Sequence, residues 1–128
     1  MNYTSIEQSK KLLELGLSPD SADMCYGYIA LYNYSDRSYD GGYDEVPYPK
    51  DFMKLNSNFS EDEYDGTLPC WSLAALLDIL PKGTNISTPR PLNALSYCCW
   101  NQYNEIYADN PVDACYEMIM HLHELNLL

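Results

Sequence analysis

A cysteine at the start of a helix can serve as a nucleophile, because the helix N-terminus favours the thiolate and a nearby histidine can take its proton. In this chain Cys70 follows Pro69 and precedes Trp71, where an apolar helix is expected to begin. The chain has 2 histidines, His121 and His123, and one of them would have to be the partner. That arrangement would make the protein a cysteine-dependent hydrolase. Both histidines, however, fall near the end of another expected helix, and no Asn or Asp is marked as the group that orients the imidazole. Cys70 reads more simply as a small apolar residue of the core.

Metal chemistry is no better supported. Glu117, His121 and Glu124 share a helix with His123, but the His-Glu-x-x-His arrangement is missing and no second cluster completes a site. Asp36-x-Ser38-x-Asp40-Gly41 matches the first half of a calcium loop, yet the twelfth position, which needs a bidentate Glu, is Pro47. Glu61-x-Glu63-x-Asp65-Gly66 fails in the same way, with Ser72 at the twelfth place. No metal and no cofactor is expected. The 5 cysteines, at 25, 70, 98, 99 and 115, form no Cys-x-x-Cys pair. The neighbours Cys98 and Cys99 would point to opposite faces of a strand. Thiols scattered through apolar runs fit a reducing compartment.

Charge says more about partners than about catalysis. The 128 residues carry 19 acids against 7 bases, a net charge of −12. Landing on nucleic-acid phosphates or on an anionic membrane needs clustered Lys and Arg, so both are disfavoured. The opening residues lack the basic-then-apolar layout of a signal peptide, and no apolar run is long enough to span a bilayer. A cytoplasmic protein is the expectation. Acids concentrate between residues 34 and 66 among tyrosines, and the chain has 13 tyrosines in all. Tyr gives large contact area at low entropic cost. Asp36, Tyr39, Asp40, Tyr43, Asp44 and Glu45 are therefore the candidate binding surface, facing a protein partner of basic character.

The elements that must position these groups follow from pattern. The spacing predicts a first helix over 5–15, opened by a Thr4-x-x-Glu7 capping box and closed at Gly16. Ser18 to Ser21 should form a turn or short helical piece. Met24–Tyr34 alternates like one strand, and 35–66 reads as a long acidic loop region rich in Tyr and Asp, with a short strand near Tyr43–Tyr48. The helix expected over 70–80 is apolar on nearly every side, so it is the expected core, with Trp71, Leu73, Leu76, Leu77 and Leu80 buried. Gly83–Pro91 reads as a polar connection. Leu92–Gln102 and Glu105–Ala108 suggest a hairpin turning at Gln102–Asn104, although a helix over 92–106 also fits the spacing. The last helix, 111–125, has Asn110 as N-cap, Pro111 in its first turn and an apolar stripe of Val112, Cys115, Ile119, Leu122 and Leu125.

Three blocks also look familiar together: Thr4-Ser-Ile-Glu-Gln-Ser-Lys-Lys-Leu-Leu-Glu-Leu-Gly-Leu17, Pro69-Cys-Trp-Ser-Leu-Ala-Ala-Leu-Leu77 and Ala108-Asp-Asn-Pro-Val-Asp-Ala-Cys-Tyr-Glu-Met118. Through them the chain resembles a family of small uncharacterised proteins encoded in prophages and other mobile elements of Bacteroides-type gut bacteria. The resemblance implies a bacterial or phage protein and carries no activity or catalytic residue. The expectation is thus one α+β domain over 1–128, a small mainly antiparallel sheet against about three helices. Its function would be non-enzymatic, that of an accessory protein that binds another protein. An acidic decoy for a nucleic-acid-binding protein is the neighbouring possibility.

Overall fold

The helix that fills the core is the last in the chain. Asn110 accepts from the Asp113 backbone N–H at 2.9 Å and Pro111 occupies the first turn, so α3 (Pro111–Glu124) begins where its sequence says it should. Val112, Ala114, Cys115, Met118, Ile119 and Leu122 along it are all wholly buried. Large aliphatic side chains of this kind contribute roughly 1.5–3 kcal/mol each before the entropy of ordering them is subtracted. In this computed structural model residues 2–33, 35, 37–43, 46–49, 68–88 and 97–128 are described, with the backbone alone at 28–33 and 38–43.

Around α3 the described residues form an α+β fold of three helices and two three-stranded antiparallel sheets, with a two-stranded hairpin besides. In chain order these are α1 (Ile6–Glu14), a short 3-10 turn (Pro19–Ser21), β1 (Met24–Tyr26), β2 (Tyr28–Asn33), β3 (Ser38–Tyr43), β4 (Tyr48–Pro49), β5 (Leu68–Cys70), α2 (Leu73–Ile79), β6 (Asn85–Ser87), β7 (Tyr97–Trp100), β8 (Glu105–Ala108) and α3. One sheet has the order β4-β1-β5 and the other β6-β7-β8, while β2 pairs with β3. Trp71, Leu76 and Leu80 from the α2 region, Leu12 from α1 and Cys99 from β7 join the α3 residues in one cluster. Tyr26, Leu68 and Cys70 form a second, smaller core against Tyr3, Ile6, Leu13 and Met24.

Several boundaries differ from expectation for local reasons. The capping box of α1 is one residue further on. Ser5 accepts from the Gln8 N–H at 3.1 Å and the Gln8 side chain accepts from the Ser5 N–H at 3.0 Å, so Thr4 is left for the interior. The strand expected over 24–34 divides at Gly27: Met24–Tyr26 and Tyr28–Asn33 join different sheets, and residue 34 lies outside the described residues. Within the loop expected over 35–66, the stretches Ser38–Tyr43 and Tyr48–Pro49 are strands because they find partners in β2 and β1. Pro69 does not open a helix. It lies in β5, at a sheet edge where a missing N–H is tolerated, and α2 starts after the Ser72 cap. Leu73 and Leu77 are only half-buried and Ala74 and Asp78 are exposed, so α2 is amphipathic and α3 is the most enclosed of the described helices.

The polar connection after Gly83 contains an unforeseen strand, β6, whose outward residues Asn85 and Ser87 conceal its pairing to β7. The expected hairpin is present, with its first strand ending at Trp100 and not at Gln102, and no helix forms over 97–106. Residues 92–96 of that expected strand and of the alternative helix lie outside the described residues. The Asn101 side chain accepts from the backbone N–H groups of Tyr103 and Asn104, at 2.8 and 3.2 Å, and turns the chain. Residue Leu125 leaves the apolar stripe because α3 ends there. Asn126 takes φ 57°, and the Leu127 N–H donates back to the Leu122 carbonyl at 2.9 Å. Gly16, at φ 95°, closes α1 with the same pattern.

Candidate functional site

The strand alternation of β6, β7 and β8 sorts their side chains onto two faces. Cys99, Ile106, Ala108 and Ile86 turn inward and pack on α3. Trp100, Glu105 and Tyr107 turn outward with Cys98, Asn85 and Ser87. The register sets Trp100 opposite Glu105 and Cys98 opposite Tyr107, so the two aromatic residues are diagonal neighbours on one open face. Trp100 is 42% exposed and Tyr107 54%, whereas Cys98 between them is only 5% exposed. The Tyr107 hydroxyl donates to the Glu105 carboxylate at 3.5 Å. That carboxylate, foremost among the causes, holds the Tyr107 phenol above its ordinary value. The face is thus aromatic and negative, and neither 84–88 nor 97–109 contains a Lys or Arg.

The hydrolase candidates are not brought together as a catalytic pair. Cys70 ends β5 in the smaller core and is wholly buried. Its sulfur lies 3.4 Å from the Thr4 carbonyl oxygen and 3.6 Å from the Thr4 hydroxyl. Burial pushes the thiol up, the reverse of what an activated thiolate needs, although hydrogen bonding with Thr4 and Tyr26 works the other way. His121 and His123 lie in the last turn of α3. His123 borders a shallow hollow of about 290 Å³ lined chiefly by Leu15, Leu17, Ile79, Ile119 and Leu128. Ser18 also lines it, and its hydroxyl accepts from the Asp20 N–H at 3.3 Å. Among the described residues no three His, Cys, Asp or Glu side chains gather as metal ligands.

Of the expected acidic surface, Asp36, Asp44 and Glu45 lie outside the described residues, and Tyr39, Asp40 and Tyr43 are placed by their backbone alone. All three belong to β3, whose register sets Tyr39 opposite Tyr32 and Tyr43 opposite Tyr28. The calcium-like run at 36–41 includes Asp36, which lies outside the described residues, and its counterpart at 61–66 falls wholly outside them.

Trp100, Glu105 and Tyr107 were not singled out in the sequence. The signal was present in the pattern, since an aromatic at 100 and acid–aromatic alternation at 105 and 107 mark the outward positions of a hairpin. No protein-family model, no curated protein and no solved structure matches this chain. No described helix is long and apolar enough to cross a membrane.

Proposed function

We propose that this chain is a non-enzymatic accessory protein of a phage or mobile element, acting in the cytoplasm by binding a basic protein through acidic, aromatic-bearing surface. The observation that carries the reading is the outer face of the β6-β7-β8 sheet, where Trp100 and Tyr107 stand exposed around a carboxylate. A net charge of −12 supports it, because long-range attraction steers a basic partner before short-range burial begins. The register of β2 and β3 also sets Tyr28 opposite Tyr43 and Tyr32 opposite Tyr39, next in sequence to the acidic residues Asp40 and Asp44. The mobile-element origin rests on the three familiar sequence blocks, and the cytoplasmic setting on five thiols dispersed among apolar runs. A decoy for a nucleic-acid-binding protein is one form such a partner could take.

The test is a binding measurement on a partner recovered from host cells, made across a salt series. Replacing Asp36, Asp40, Asp44 and Glu45 by Asn or Gln should slow association at low salt and little at high salt, since steering acts over about a Debye length, ~8 Å at physiological salt. Replacing Tyr39, Tyr43, Trp100 and Tyr107 by Ala should instead speed dissociation. A partner that binds both variants unchanged at every ionic strength would sink the proposal.

A further inference from the structure

We infer that the outer face of the β6-β7-β8 sheet is a seat for arginine side chains of a basic protein segment. This rests on the reading of the chain as an interaction protein and names the chemistry of its ligand. Trp100 and Tyr107 are exposed on one face and lie diagonally across the strand pair. The Glu105 carboxylate is opposite Trp100 and within 3.5 Å of the Tyr107 hydroxyl, so acid and ring are held side by side. Cys98 lies recessed between the two rings, and Asn85 and Ser87 on β6 are neutral. Among the described residues 84–88 and 97–109 the surface therefore presents aromatic faces and a carboxylate, and no Lys or Arg.

Guanidinium fits this combination. It is planar and weakly hydrated, so it stacks on an aromatic face while its edge N–H groups donate to a carboxylate beside the ring. An ammonium group is a compact, strongly hydrated point charge and makes the two contacts less well together. An anionic ligand is repelled by Glu105, and a purely apolar one leaves the carboxylate to be desolvated without a partner. Charge complementarity commits the site to a cation, and the exposed rings commit it to a flat one.

The experiment uses the full chain and three short peptides that differ only at two positions, occupied by arginine, by lysine or by citrulline, the neutral isostere of arginine. The chain has 2 tryptophans, and because Trp71 is wholly buried, a change in emission on titration reports on Trp100. At low ionic strength the arginine peptide should shift the emission saturably. The lysine peptide should bind about threefold weaker or worse, and citrulline at least about tenfold weaker, the scale of one exposed cation–π contact plus a lost charge. Glu105→Gln, an exposed and nearly isosteric change, should weaken the arginine peptide several-fold and leave the citrulline peptide unaffected. Equal affinity for all three peptides, or for arginine and lysine, overturns the inference, as does an arginine affinity that ignores Glu105→Gln and Tyr107→Ala. A recovered partner that keeps its salt-dependent binding while the arginine peptide fails would remove this site alone and leave the broader reading standing.

Discussion

Thr4 and Trp71 hold each other by two hydrogen bonds in the protein interior. The Thr4 N–H donates to the Trp71 carbonyl at 2.9 Å, and the Trp71 N–H donates to the Thr4 hydroxyl at 3.0 Å. Both residues are wholly buried, and the Thr4 hydroxyl also lies 2.8 Å from the Ser9 hydroxyl. Nearby, the Tyr26 hydroxyl donates to the Thr4 carbonyl at 2.8 Å and the Trp71 indole N–H to the Ser21 hydroxyl at 2.9 Å. Thr4→Val keeps the shape but strips the Trp71 N–H of its acceptor, so it should cost roughly 1–3 kcal/mol, whereas Thr4→Ser should cost less. Urea unfolding of the two variants checks the order.

Packing of α2 against α3 carries a larger share. Leu76 is wholly buried in the main cluster with Met118, Ile119 and Leu122. Leu76→Ala should destabilise by roughly 2–5 kcal/mol, since the deleted methyl groups leave a cavity that rigid neighbours fill only partly. Thermal denaturation showing no change would mean that α2 does not support the core as described.

The two helix ends with positive φ make opposite predictions. Gly16 has open space where a Cβ would go, so Gly16→Ala suffers from backbone strain and not from a clash. It should cost roughly 1–2 kcal/mol. Asn126→Gly removes the corresponding strain at the end of α3 and should be neutral or stabilising by up to about 1 kcal/mol. The measured denaturation midpoint should fall for Gly16→Ala and hold or rise for Asn126→Gly.

Stability should decline on the alkaline side. Burial pushes up the Cys70 thiol and the Tyr26 phenol. The folded chain then keeps these protons at pH values where the unfolded chain releases them, so it binds more protons and loses stability as pH rises. The contribution is complete below the ordinary thiol value near 8.5, fades above it, and fades further above about 10 as tyrosine joins. Cys70→Ala should flatten the slope of the denaturant midpoint between about pH 8.5 and 10. An identical slope in the variant would refute the assignment.

Capping residues and the periodic stripe made α3 readable almost to the residue, because Asn110, Pro111 and the spacing of Val112, Cys115, Ile119 and Leu122 all agree. A tight turn was legible at Gln102–Asn104, one residue short of the Asn101 side chain that holds it. What escaped was decided by distant contacts. Pro69 belongs to a strand because β1 lies beside it, and Asn85–Ser87 becomes a strand because β7 pairs with it. The role of the Tyr107 side chain depends on which face α3 covers, and that is a property of the assembled fold. Cys70 already read as a core residue, but the Thr4 and Tyr26 groups that surround it there were not legible from its local sequence.

The position of α3 in the chain has a consequence for biosynthesis. Strands β6 to β8 leave the ribosome with Cys99, Ile86 and Ile106 facing outward until Pro111–Glu124 has followed them. Until that stretch is made, Leu12, Trp71 and Leu76 have no helix to close upon. The segments made before α3 therefore lack that cover until it has been synthesised, the interval in which a chaperone would have most to shield.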